Sequence, residues 1–90
     1  MKLERETGRI FAVDEGGALL CEILFPIEEN TASINRTYVS EVLRGQGVAN
    51  QLMEAAVEQI EEEGLRARAV CSYAVKWFEN HPEKQGLLEG

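Results

Sequence analysis

The sequence predicts an α/β fold of the α+β kind: a mostly antiparallel mixed sheet with a central helix after a glycine-bearing loop. The expected element order is β-β-β-α-β-α. Three observations predict it. Two apolar runs flank the adjacent glycines Gly16 and Gly17, a hairpin pattern, because glycine supplies the positive φ of a tight turn. From Val48 the pattern turns helical: Val48, Leu52, Ala56 and Ile60 recur every fourth residue, with Met53 and Val57 beside them. A short loop, Arg44-Gly45-Gln46-Gly47-Val48-Ala49, joins the two regimes.

Residues 1–7 read as a charged lead-in with the makings of an edge strand. Gly8 to Asp14 reads as a strand, Glu15-Gly16-Gly17 as a turn, and Ala18 to Phe25 as the return strand. Period two puts Leu19, Cys21, Ile23 and Phe25 on one face of that strand. Pro26 lacks an N–H and is expected to end it. Glu28-Glu29-Asn30 reads as a second turn, and Thr31 to Val39, rich in β-branched residues, as a third strand. The helix is expected over Val48 to Glu63, with Glu54, Glu58, Glu61 and Glu62 on its solvent side and Gly64 stopping it. Leu65 to Cys71 returns to strand character, Arg66 and Arg68 alternating with Ala67 and Ala69. A crossover helix allows that strand to lie parallel to its predecessor. Ser72 is the expected cap of a last helix, Tyr73 to Asn80, which Pro82 breaks. Glu83 to Gly90 is expected to be loop or a fraying end.

Ninety residues, 44% hydrophobic and 28% charged, suit one domain over 1–90 with a single sheet and helices packed on it. Nine basic against sixteen acidic residues give a formal charge of −7. That argues against nucleic acid, whose affinity comes from Lys and Arg neutralising phosphates, and is compatible with a cationic substrate such as an amine. No apolar run has the length of a membrane span, and Met1 to Glu6 is too polar for a signal peptide. The expectation is a cytoplasmic protein with no membrane partner. Cys21 and Cys71 are then expected to be free thiols. They form no metal motif, and His81 has no ligand partner at metal spacing, so no metal is expected.

Chemistry concentrates at Arg44–Ala49. Glycines there let an anion approach the main chain closely. The first N–H groups of the following helix have no intrahelical acceptor, and the helix dipole adds partial positive charge. A phosphate or pyrophosphate is the expected ligand. The loop lacks the Lys-Ser/Thr of a P-loop NTPase and the third glycine of a dinucleotide fingerprint. A glycine turn before a helix with no ligand is the alternative reading.

The loop resembles the acyl-coenzyme A loop of the GNAT superfamily of N-acetyltransferases, [Q/R]-x-x-G-x-[G/A]. Arg44, Gly47 and Ala49 stand at its defining positions, and Gly45-Gln46 complete the frequent form R-G-Q-G. The context agrees over roughly residues 8 to 83: a meander before, an amphipathic helix and a strand after. More narrowly, the chain resembles the minimal single-domain branch of about this length, through Thr37-x-Val39 before the loop, Cys71 closing the strand after the helix, and His81-Pro82-Glu83 after the last helix. It departs from the wider family in one respect. Only the Glu15–Gly17 turn stands where a full domain has two extra helices that help build the acceptor site. The resemblance therefore leaves the acceptor site open or completed by a partner.

The resemblance implies an enzyme that moves an acetyl group from acetyl-coenzyme A, as co-substrate, to an amine acceptor. Its pyrophosphate would meet the N–H groups of Gln46, Gly47, Val48 and Ala49, with Arg44 and Gly45 beside them. The pantetheine arm would pair with the backbone of Val39 to Val42 like an added strand. The Val39 N–H would hold the oxyanion. Asn80 and His81 would brace the coenzyme from the side. Cys71 is either a nucleophile near a helix start or a small buried side chain. Tyr73 is either the acid for the leaving thiolate or a packing residue, and Glu41 either a base or a solvated carboxylate. Trp77, Phe78 and Cys21 read as core. Two other functions stay open, an acyl-coenzyme A binding module without efficient turnover and an interaction protein that keeps only the scaffold. Acceptor and oligomeric state are not specified.

Overall fold

Three charged residues form the first edge of the sheet in the structure, a computed structural model that describes residues 1–89. Strand β1, Glu4–Glu6, is fully exposed and pairs antiparallel with β2, Arg9–Val13. The lead-in is thus an edge strand, and its charges discourage pairing with another chain. The turn falls at Thr7-Gly8, so the strand expected from Gly8 starts at Arg9. Strand β3, Leu19–Leu24, returns antiparallel to β2. Asp14 organises the loop between them, its carboxylate accepting the N–H groups of Gly16 and Ala18, both at 2.9 Å. A register shift near Val13 takes Leu19 out of the regular alternation, and the buried row is Cys21 and Ile23 on β3 followed by Phe25 just past its end.

The run Thr31 to Val39 is not one strand. It divides at Asn35 into β5, Thr31–Ile34, and β6, Arg36–Val39. The chain after Pro26 also continues pairing, as the short strand β4, Ile27–Glu28, whose hairpin with β5 turns at Glu29-Asn30. Along this long hairpin Ile27 faces Ala32, yet Leu24 faces Arg36. The register has slipped by one, so Ile34 and Asn35 together oppose Phe25, which is a β-bulge. The Ser33 N–H donates to the Pro26 carbonyl (2.9 Å) and the Asn35 N–H to the Leu24 carbonyl (3.1 Å) on either side of it. The physical cause is local: Pro26 has no N–H to continue an even ladder.

The bulge sends the two halves to different partners. Strand β6 stays antiparallel to β3, giving the order β1-β2-β3-β6. Strand β5 pairs in parallel with β7, Arg66–Ala69, giving β4-β5-β7. The last tie to β7 is the Ile34 carbonyl, which accepts the N–H groups of both Val70 and Cys71 at 3.0 Å. Beyond that point β6 and the chain leaving β7 diverge.

Helix α1, Val48–Glu62, makes the crossover. Its buried row (Val48, Leu52, Met53, Ala56, Val57 and Ile60) joins Ile10, Ala12, Cys21, Ile23 and Phe25 in one core. Each large side chain buried there contributes on the order of 1.5–3 kcal/mol. Gly64 ends the helix in the left-handed region, and the Leu65 N–H closes back on the Ile60 carbonyl at 3.0 Å. Helix α2, Ser72–Glu79, buries Ala74, Trp77 and Phe78. Its N-cap is Cys71 rather than Ser72: the Cys71 Sγ accepts the Ala74 N–H at 3.4 Å.

The chain end is also ordered differently from expectation. Pro82–Leu87 winds into 3-10 turns, and Leu88 then runs beside Ala67. The Glu89 N–H donates to the Ala67 carbonyl at 2.8 Å, and the Glu89 carboxylate accepts hydrogen bonds from Arg68 and, at 2.8 Å, from Thr31. Two arginines on β7 and an acidic residue in the tail make this attachment. Gly90 lies outside the described residues.

Candidate active site

The loop from β6 to α1 sits where the strands part. A short 3-10 turn, Glu41–Leu43, carries the chain off β6. Gly45 and Gly47 then take φ values of +81° and +76°, a region where side chains other than glycine are strained. A Cβ at either glycine would meet nothing within 4 Å. Space therefore lies open directly against the main chain. Gly47 is the residue that caps α1, and the first bond of that helix runs from the Gln51 N–H to the Gly47 carbonyl at 3.1 Å. The N–H groups of Val48, Ala49 and Asn50 precede it and have no acceptor within the helix. Open space, helix start and unpaired donors coincide, which is the physical requirement for an anion.

A cleft of about 210 Å³ opens at this place, lined by Val39, Leu43, Arg44, Gly45, Gly47, Val48, Ala49, Asn50 and Tyr73. Most of the predicted coenzyme residues thus share one surface. Arg44 folds back on β6, its Nε donating to the Val39 carbonyl at 3.3 Å. Gln46 braces the 3-10 turn by donating from Nε2 to the Val42 carbonyl at 3.2 Å. Val42 is 72% exposed, and Glu41 is exposed on the same turn; neither lines the cleft.

Cys71 stands at the fork of the two strands. Its Sγ lies 3.6 Å from the Thr37 Oγ1 on β6 and caps α2, so it spans the gap between the diverging segments. Two residues on, half-buried Tyr73 reaches the cleft. Burial, and then the nearby Glu54 carboxylate, push its phenol above the usual value, which keeps the proton on the oxygen. Cys21 is fully buried, and that burial raises its thiol pKa; it is a core side chain.

Asn80 and His81 lie farther along. Asn80 ends α2, and His81 stacks on Trp77 with ring centroids 3.8 Å apart. His81 faces a separate groove between α1 and the 3-10 turns, shared with Glu54, Glu58, Glu61 and Lys84. Asn50 and Leu43 were not singled out from the sequence, and Thr37 only as part of the Thr-x-Val before the loop. Asn50 had a signal available, since it is the third residue of the helix that the glycine loop opens. Thr37 had none beyond its place in the Thr-x-Val, because its neighbour Cys71 is 34 residues away.

Comparison with known proteins agrees with this geometry. The family model described as GCN5-related N-acetyl-transferase matches residues 9–87. A GCN5-like protein of Staphylococcus aureus solved by NMR superposes with a TM-score of 0.77 at 32% identity, covering 99% of this chain and 88% of that one. YhbS of Escherichia coli, a GNAT family N-acetyltransferase crystallised with CoA, superposes with a TM-score of 0.55 at 24% identity, over 63% of this chain and 35% of that one. Protein NATD1 of Xenopus tropicalis is 33% identical over 61 residues, which are 68% of this chain and 56% of the frog protein. The match thus spans little more than half the length of such curated relatives. The strand order, the loop-opened helix and the family match coincide on one stretch of sequence, and the chain belongs to the GCN5-related N-acetyltransferase family.

Proposed function

We propose that this domain transfers an acetyl group from acetyl-coenzyme A to an amine. The observation that carries the reading is the loop: two left-handed glycines leave open space against the free N–H groups at the start of α1. A diphosphate suits that position because the donors are pre-organised and the charge faces the positive end of the helix dipole. Gln46, Gly47, Val48 and Ala49 supply the backbone donors. The arm of the donor then runs along the outer edge of β6 as far as Val39; the 3-10 turn Glu41–Leu43 takes Val42, expected to pair with the arm, out of strand geometry.

In this reading the Val39 N–H stabilises the negative charge that develops on the acetyl oxygen. The amine lone pair attacks the acetyl carbonyl carbon, and the carbon–sulfur bond breaks. Tyr73, held protonated, delivers a proton to the departing sulfur, and solvent takes the proton from the new amide nitrogen, since Glu41 is exposed outside the cleft. Asn80 and His81, expected to brace the coenzyme, lie outside this cleft, His81 facing the separate groove. A cytoplasmic setting suits a reaction that uses free thiols and acetyl-coenzyme A.

Isothermal titration tests the binding step. Wild type should release or absorb heat with coenzyme A, and Gly47→Glu should not, because a carboxylate then occupies the phosphate position. The variant should stay folded, since a Cβ there meets no atom, although the left-handed φ costs about 1 kcal/mol. Retained affinity in folded Gly47→Glu would sink the loop assignment.

A second reading is specific to Cys71. Its Sγ caps α2, accepting the Ala74 N–H, and stands at the fork of the two strands beside Thr37. The Sγ would attack the acetyl carbon, coenzyme A would leave as the thiol with the Cys71 proton, and the amine would then take the acetyl group. Mass spectrometry after incubation with acetyl-coenzyme A should show an acetyl adduct on Cys71. No adduct, with turnover surviving in Cys71→Ala, would remove it. A third reading, a module that binds acyl-coenzyme A with little turnover, is favoured by the bare loop between β2 and β3, where no helix stands to build an acceptor wall. Steady amine acetylation would exclude it.

A further inference from the structure

We infer that Asn50 and Trp77 work as a pair in which the indole holds the Asn50 amide so that its NH2 group donates to the diphosphate of bound coenzyme A; this rests on the acetyl-coenzyme A reading above. Trp77 lies behind Asn50, outside the cleft, and lines the neighbouring groove. Asn50 lines the cleft itself beside Gly47 and Ala49. It is the third residue of α1, and side chains in a helix lean toward its N-terminus, here toward the loop.

The direction of the amide follows from chemistry. The Trp77 Nε1 donates to the Asn50 Oδ1 at 2.9 Å. An indole N–H can only donate, so the atom facing it must be the amide oxygen. The Nδ2 of Asn50 then points away from Trp77, and it makes no hydrogen bond among the described residues. Two N–H bonds are left free beside the anion position. Trp77 itself is only 6% exposed, and a buried indole N–H needs an acceptor. Its neighbours hold the ring still: Phe78 meets it edge-on with centroids 5.1 Å apart, and His81 stacks on it. The core of α2 thereby dictates the orientation of one side chain at the loop. Asn50 is the binding residue, and Trp77 is a positioning residue that acts through it.

The test compares two ligands that differ in the diphosphate: acetyl-coenzyme A and acetyl-pantetheine, which lacks it. Asn50→Leu keeps the size and removes the donor. Its affinity for acetyl-coenzyme A should fall ~10-fold, as expected for one hydrogen bond to a charged group, with acetyl-pantetheine unaffected. Trp77→Phe keeps a ring and frees the amide to turn over, so its loss should be in the same direction and smaller. Trp77 is the single tryptophan, so its one indole N–H resonance should shift on adding acetyl-coenzyme A and stay in place with acetyl-pantetheine. Asn50→Asp, which keeps the acceptor for Trp77 but repels phosphate, should lose more affinity than Asn50→Leu and serves if that variant does not fold. Wild-type affinity in folded Asn50→Leu or Asn50→Asp, or an equal loss for both ligands, would overturn the pair's role while leaving the acetyl-coenzyme A reading standing. A folded wild type with no affinity for acetyl-coenzyme A would overturn both.

Discussion

Glu22 is a buried charge held by two neighbours. It projects from the middle of β3 and is 8% exposed, the buried charged residue of the sheet. Arg9 and Arg36, on the strands either side, hold its two oxygens at 2.7 and 3.2 Å. Arg9 also lies over the Phe11 ring at 3.7 Å. Each carboxylate oxygen thus has its own guanidinium, and the face without a helix is closed by this ladder rather than by packing. Glu22→Ala leaves two cations facing each other across β3 with no anion between them. The expected cost is about 1–3 kcal/mol, discounted because both arginines reach solvent, and urea denaturation measures it. Neither the pairing nor the burial was legible in the sequence, where Glu22 is one polar residue in an apolar strand; it takes the register of three strands to bring 9, 22 and 36 together.

At the scale of elements, the bulge at Ile34-Asn35 and the tail decide most. The bulge parts β6 from β7, and without that parting there is no gap for a thioester arm. Pro26 marks the place in the sequence, and β3 does end just before it, at Leu24; what the sequence does not show is that pairing resumes at Ile27 and that the bulge forms on the opposite strand. The tail, which as a chain end is expected to be loop or to fray, is instead attached to the sheet. Its attachment depends on Arg66, Arg68 and Thr31, which lie far away in sequence: Arg66 donates to the Leu88 carbonyl at 2.6 Å, and Arg68 pairs with Glu89. The hydrogen bond from Arg68, and then that from Thr31, hold the Glu89 carboxyl below the ordinary carboxylate range. A lowered folded pKa means that the attachment is fully present above the ordinary carboxylate pKa and is lost as pH falls through the lowered value. Protection of the Glu89 N–H from exchange should therefore weaken on acidification before the core unfolds. Glu89→Gln should show the weakened state at neutral pH. Unchanged exchange in that variant would mean that the backbone bond to Ala67 suffices alone.

The whole molecule is one small core shared by α1, α2 and both sheet halves. A domain of ninety residues has a net stability of roughly 5–13 kcal/mol. Leu52, fully buried on α1, should cost about 2–5 kcal/mol on replacement by alanine, a large share of that total. Coenzyme A at a hundred times its Kd should return ~2.7 kcal/mol by binding only the folded state. A thermal melt of Leu52→Ala with and without coenzyme A checks both numbers. A ligand-independent melting temperature in this variant and in wild type would count against the proposed donor.

What the sequence determined by itself is local. The glycine spacing, the helical period from Val48 and the order of elements are properties of neighbours in the chain, and they pointed to the loop, its ligand class and the family. The tertiary structure alone decided where the sheet splits, that Cys71 meets Thr37, and that Trp77 orients Asn50. Each of these is a contact between residues distant in sequence, set by strand register and core packing, and no local pattern encodes it.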